Sequence, residues 1–186
     1  EPDATEDEQL SRTAGASLPK GIDAERRDFE GASGRLSYYV GGEGPPLLLV
    51  HSINAAGSAY EVRPIFNRMA AGHRVYALDL PGFGFSDRSE REYTPRLYTD
   101  AIHDMLAVIR NDGAGDQPID ALAVSLGSEF LARAAVEAPD RFRSLTLVTP
   151  TGFQKGADKL RGAPGERKRG LCSPAAVGSP YRPKLA

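Results

Sequence analysis

The chain has 186 residues, 40% of them hydrophobic, with 25 acidic against 23 basic side chains. That length suits one domain with its own core, and a charge so near zero gives no reason to expect nucleic acid or an anionic membrane as a partner. One cysteine, Cys172, excludes an internal disulfide and any multi-cysteine metal site, and the longest apolar run, "LLLV" at 47–50, is too short to span a bilayer.

Residues 1–28 are polar and carry the acidic cluster "EPDATEDEQ", which reads as a mobile, solubilising arm. No secretory signal is visible, which points to the cytoplasm, although the sequence starts at Glu1 and not at methionine. Order is expected from about Phe29. "RLSYYV" (35–40) has strand character and is followed by the turn signal "GGEGPP". "LLLVH" (47–51) and "RVYALDL" (74–80) are continuous apolar runs, the pattern of strands buried on both faces of a parallel sheet. Between them, residues 58–70 read as a helix with Pro64 confined to its first turns.

"TPRLYTDAIHDMLAVIRNDG" (94–113) reads as a helix capped by Thr94, with Pro95 at its first position and Gly113 as its stop. Tyr98, Ile102, Met105 and Ile109 form one stripe at helical spacing. A strand at 119–124, a helix at 126–138 halted by Pro139, and a strand at 144–150 complete the alternation. Strands alternating with helices predict an α/β domain, a mainly parallel sheet with flanking helices. After about residue 156 the chain turns basic and rich in Pro and Gly, without periodicity. Two readings of 154–186 stand: a flexible tail, or a disrupted reading frame that replaced the true C-terminal portion.

Chemistry concentrates at three strand ends. "AVSLGS" (123–128) places Ser125 between an apolar strand and a helix, with small residues, Ala123 and Gly127, two before and two after it. A sharp strand-to-helix turn needs that smallness, and it exposes the serine hydroxyl beside helix N–H groups. The bland alternative is that Ser125 only caps the helix. "VHSINAAGS" (50–58) is a small-residue loop that can bring backbone donors towards the serine, and an acyl-transfer site needs two such donors. "DLPGFGFSD" (79–87) supplies a tight glycine loop on the same side of the sheet. Its "GFGFSD" opens like a dinucleotide fingerprint, but Asp87 stands where the third glycine belongs and a charged loop follows.

In this order, "VHS", "DLPGFGFSD" and "AVSLGS" resemble the α/β-hydrolase superfamily over roughly residues 29–153. Ala123 and Ser52 replace glycines of the family pattern. The resemblance implies a nucleophile at Ser125, oxyanion donors at the backbone N–H of Ile53 and Leu126, and Asn54 and Ser86 as possible pocket residues. Asn54 is equally readable as a turn stabiliser. His51 and Asp79 would be structural. The implied function is a serine hydrolase acting on an ester-like or amide-like small molecule through an acyl-serine, with no metal or other cofactor and the oligomeric state left open. A serine at the elbow disfavours the branches that use aspartate there, epoxide and haloalkane hydrolysis. The family places its acid and histidine after the serine, whereas His51, His73 and His103 all precede Ser125. The family's lid and last strands have no counterpart either. The resemblance therefore implies a core incomplete at its C-terminal end, an open sheet edge, and impaired chemistry, with a non-catalytic binding module on the same fold as the alternative.

Overall fold

A computed structural model describes residues 19–151; the tail 154–186 and most of the acidic arm lie outside them. Six strands form one sheet: β1 (Glu25–Gly31), β2 (Gly34–Gly41), β3 (Pro46–Val50), β4 (Arg74–Asp79), β5 (Ile119–Val124) and β6 (Phe142–Val148). Their spatial order is β1-β2-β4-β3-β5-β6. β4, β3, β5 and β6 run parallel, and the β1–β2 hairpin joins antiparallel on the β4 side. The expected α/β architecture, mainly parallel, is the one observed.

The apolar runs sit where two-sided burial puts them. Leu48, Leu49 and Val50 of β3 are fully buried, as are Val75, Ala77 and Leu78 of β4. α1 (Arg63–Met69), entered through a short 3-10 turn at Ala59–Val62, covers one face. There Val62 and Phe66 pack on Tyr39, Leu49, Val75 and Ala77. α2 (Pro95–Ile109) and α3 (Gly127–Glu137) cover the other. The predicted stripe Tyr98, Ile102, Met105 and Ile109 is fully buried against that face, which stabilises by about 1.5–3 kcal/mol for each such side chain. Thr94 caps α2 by accepting from the Leu97 N–H at 3.2 Å. Pro64, second in α1, loses no intrahelical bond there.

Two expectations need correction. Order begins before Phe29: β1 starts at Glu25, and upstream of it Ile22 is fully buried and the Gly21 N–H donates to the Tyr39 hydroxyl at 2.9 Å. α2 also ends before Gly113: its α-helical part stops at Ile109, and a wider turn carries the chain through Gly113 at φ 111°.

That wider turn presents Asp112, whose carboxylate accepts from Arg27, Arg74 and the Tyr76 hydroxyl at 2.8–3.1 Å. It ties β1, β4 and the end of α2 together. Burial pushes the Asp112 carboxyl up, but the Tyr76 and Arg74 hydrogen bonds and the Arg74 charge outweigh it and hold it below 3.8. The folded value lies below the unfolded one. The stabilisation is therefore complete above pH 3.8 and is lost as pH falls through the lower folded value. Asp112→Asn is expected to lower the denaturant midpoint by the equivalent of about 2 kcal/mol at pH 7. The gap from the native chain should close in titrations carried below pH 3.8.

At the other end of the sheet, β6 has no outer partner strand among the described residues, and Leu145 is 36% exposed on it.

Candidate active site

The parallel strands deliver the three loops to one end of the sheet. Val50 pairs with Ala123, so the residues after β3 and after β5 leave side by side. Leu78 pairs with Val50, which brings the loop after β4 to the same edge. Sites in such sheets lie outside the carboxyl ends of the strands.

Ser125 occupies the turn between β5 and α3 with φ 52°, a left-handed conformation that non-glycine residues rarely hold. Its backbone is fixed from three sides: its N–H donates to the Val148 carbonyl at 2.9 Å, and its carbonyl accepts from Ser128 at 3.1 Å and Thr151 at 3.4 Å. Its side chain is not the helix cap. The residue in the cap position is Leu126, and no side-chain cap bond is made there. The capping alternative for Ser125 therefore fails. Small flanking residues are required as expected: a Cβ at Gly127 would lie less than 3.0 Å from the His51 carbonyl oxygen, and Ala123 is fully buried. The Ile53 and Leu126 N–H groups have no acceptor among the described residues.

The loop after β3 is held by side chains. His51 is fully buried; its Nδ1 donates to the Ser52 carbonyl at 2.6 Å and its Nε2 accepts from the Leu80 N–H at 3.0 Å. Both ring nitrogens are engaged, in the one neutral tautomer that satisfies both bonds. Burial pushes the imidazole below its usual 6.5, against the pull of the Ser52 carbonyl. His51 is thus a strut between two loops. His73 sits at the opposite end of the sheet, just before β4, and His103 pairs with Glu137 at 2.9 Å across α2 and α3. None of the three histidines hydrogen-bonds Ser125.

Asn54 is exposed and behaves first as a turn residue: its Oδ1 accepts from the Ala56 N–H at 2.9 Å and its Nδ2 donates to Ser52 Oγ at 2.5 Å. It also lines a cavity of about 860 Å³. Ile53, Phe83, Tyr93 and Tyr98 line that cavity too, with Lys20 and Arg88 contributing positive charge; Ser125 does not touch it. Ser86 needs correction as a pocket residue. It is buried, lies outside the cavity lining, donates to the Asp79 carbonyl at 2.5 Å and accepts from the Ser37 N–H at 2.9 Å. Asp79 accepts from the Ala59 and Phe85 N–H groups at 2.7 and 3.0 Å, closing the glycine loop over itself. Burial pushes its carboxyl up, against those two donors. Sequence reading missed Glu61, whose carboxylate accepts from the Ser52 N–H at 2.6 Å and from its hydroxyl at 2.8 Å. Among the described residues no cluster of three or more His, Cys, Asp or Glu is placed to hold a metal ion.

A parallel sheet with a strained serine at a strand-to-helix turn, faced by a pinned small-residue loop, defines a hydrolase-type α/β core. Residues 45–167 match the family model for the alpha/beta hydrolase fold, and the chain belongs to that family. The match runs 14 residues beyond 153, where the sequence resemblance was expected to stop. The chain is 34% identical over 139 residues to the "Putative carbamate hydrolase RutD" of Azorhizobium caulinodans, covering 75% of this chain and 49% of that protein. It is 29% identical to the pimeloyl-[acyl-carrier protein] methyl ester esterase of Aliivibrio salmonicida, covering 61% of this chain and 39% of the esterase. The solved structure of E-2-(acetamidomethylene)succinate hydrolase superposes with a TM-score of 0.55 at 28% identity, over 65% of this chain and 42% of that one. The chain thus spans half or less of the length of each of these relatives. No helix among the described residues is long and apolar enough to cross a membrane.

Proposed function

We propose that this chain carries the nucleophile half of a serine hydrolase acting on an ester-like or amide-like small molecule. The observation that carries the reading is Ser125, held at φ 52° between β5 and α3 with its hydroxyl unused as a cap. Strain of this kind costs about 1–3 kcal/mol and persists where it serves a site. Three relatives support the reading by name, a carbamate hydrolase, a methyl ester esterase and a 2-(acetamidomethylene)succinate hydrolase, and a 2-hydroxymuconate semialdehyde hydrolase stands beside them.

In this mechanism Ser125 Oγ attacks the acyl carbon while a base takes its proton. The carbonyl π electrons move to oxygen, where the Ile53 and Leu126 N–H groups receive the charge. Collapse expels the leaving group with the returned proton, and water then cleaves the acyl-serine by the same steps reversed. His51 and His103 are engaged elsewhere and none of the described histidines serves as that base; without a positioned base only the residual catalysis of binding and oxyanion contacts operates, about 10³–10⁴ over water.

An aryl-free alkyl fluorophosphonate tests this. Ser125 Oγ bonds to phosphorus, the P–F bond breaks, fluoride leaves and the hydroxyl proton passes to solvent. Slow, stoichiometric adduct on the Ser125 peptide is expected, with none in Ser125→Ala. An intact, folded chain that takes no adduct sinks the activity reading.

The engagement of His51 and His103 elsewhere favours a second reading, a non-catalytic binding module on the same fold. Ligand-specific thermal stabilisation without turnover or adduct would select it.

A further inference from the structure

We propose that Glu61 is a positioning residue for the oxyanion donor: by clamping Ser52 it aims the Ile53 N–H at the acyl group on Ser125. The inference rests on the serine-hydrolase reading and extends it to a residue outside the three sequence motifs.

Ser52 stands where the resemblance expects glycine, and it is 4% exposed. A buried N–H and a buried hydroxyl each need a partner, at a cost of about 1–3 kcal/mol when left without one. Glu61 serves both, one oxygen taking the N–H at 2.6 Å and the other the hydroxyl at 2.8 Å. The backbone before Ser52 and its side-chain torsion are thereby fixed together. Asn54 Nδ2 then donates to the same hydroxyl at 2.5 Å, so the chain Asn54, Ser52, Glu61 closes across the loop.

The next peptide unit is the one that matters. The Ser52 carbonyl accepts from His51 Nδ1 at 2.6 Å and so points back at the buried ring. No peptide bond among the described residues is cis. In a trans unit the N–H is opposed to the carbonyl, so the Ile53 N–H points away from the ring and out of the core. His51 sets the direction of that unit from one end, and Glu61 holds the residue from which it starts. Both Glu61 oxygens are turned to Ser52, so the carboxylate acts through the loop and not on substrate.

The test uses the ¹⁵N-labelled 186-residue chain, free and as the completed alkyl phosphonate adduct. In the native chain the Ser52 amide proton is expected far downfield, and adduct formation should shift the Ile53 and Leu126 amides together. In Glu61→Gln, which keeps one acceptor oxygen, the Ser52 amide should move upfield. Its adduct should still shift Leu126 while the Ile53 response falls by at least half, and phosphonylation should slow about tenfold, a fraction of the loss when a donor is deleted. Glu61→Asp, shorter by one methylene but still charged, should show the same selective loss of the Ile53 response, and it stands in if the glutamine variant loses its dispersed spectrum. Equal Ile53 responses in native and variant chains overturn the positioning role while leaving Ser125 as nucleophile. A native chain that takes no adduct overturns the serine reading and the positioning role with it, whereas an adduct that moves neither amide overturns the oxyanion and positioning roles while leaving Ser125 as nucleophile.

Discussion

Replacing Gly127 with alanine is expected to lower the unfolding free energy by about 3 kcal/mol and to abolish phosphonate labelling of Ser125. A Cβ at this position would lie less than 3.0 Å from the His51 carbonyl oxygen, with Val50 Cγ1 at 3.3 Å behind it. The obstructing atom is backbone and cannot swing aside as a side-chain tip would. Relief requires α3 to move off the loop after β3, or that loop to move off α3. Overpacking of this kind typically costs about 1–3 kcal/mol, more when backbone must shift. The loop cannot retreat freely, because His51 is tied to Leu80 and to Ser52. The displacement therefore falls on the start of α3, where the Leu126 N–H begins the helix. Gly72→Ala is the control. It meets nothing within 4 Å, so its midpoint in urea should stay within about 0.5 kcal/mol of the native chain. A Gly127→Ala chain as stable as that control would show that α3 and the loop are not in the close contact described.

The fold was legible where physics repeats locally. Two continuous apolar runs at 47–51 and 74–80, a helical stripe at Tyr98, Ile102, Met105 and Ile109, and a Thr94–Pro95 start are each dictated by neighbours in sequence. β1 was not, because "ERRDFEG" alternates charge rather than apolar residues. It is an edge strand with the Arg26–Asp28 pair on one face and the Arg27–Glu25 pair on the other, and Phe29 is its large apolar residue against the core. Asp112 was equally hidden, since its partner Arg27 is 85 residues away.

At the candidate site, the strand-end motifs pointed to the turns that carry Ser125, Ile53 and Leu126, yet the directions of polar side chains in those motifs are not carried by the sequence. Ser86 belongs to the motif as expected, but its hydroxyl turns inward to β2 and Asp79. Glu61 carries a local signal that points the wrong way. Ser58-x-x-Glu61 has the spacing of a capping box, in which the glutamate returns to the N–H of the capping serine. Ser58 does accept from the Tyr60 N–H at 3.3 Å, but Glu61 is spent on Ser52. Only the three-dimensional approach of the loop after β3 reveals that preference.

The largest single loss of stability is expected at Asp79. Its carboxylate is 1% exposed and accepts from the Ala59 N–H at one oxygen and from the Phe85 N–H at the other. Ala59 is fully buried and opens the 3-10 turn that leads into α1, while Phe85 belongs to the glycine loop after β4. One side chain thus holds two segments against the strand end, and the carboxylate fills the space above Gly84, where φ is 50° and a Cβ would collide with it. Asp79→Ala leaves both N–H groups without an acceptor, at about 1–3 kcal/mol each, and leaves a void besides. A loss of about 4 kcal/mol is expected, enough to unfold a domain of ordinary stability at moderate temperature. Asp79→Asn separates the causes. Its amide oxygen can still accept from one N–H, but its NH₂ must face the other, donor against donor, with the void filled. About 2 kcal/mol is expected, measured as the shift in urea midpoint at pH 7. If both variants cost the same, the void contributes nothing and the loss is one of acceptors alone. If neither costs more than about 1 kcal/mol, water replaces the carboxylate and Asp79 does not hold the two loops.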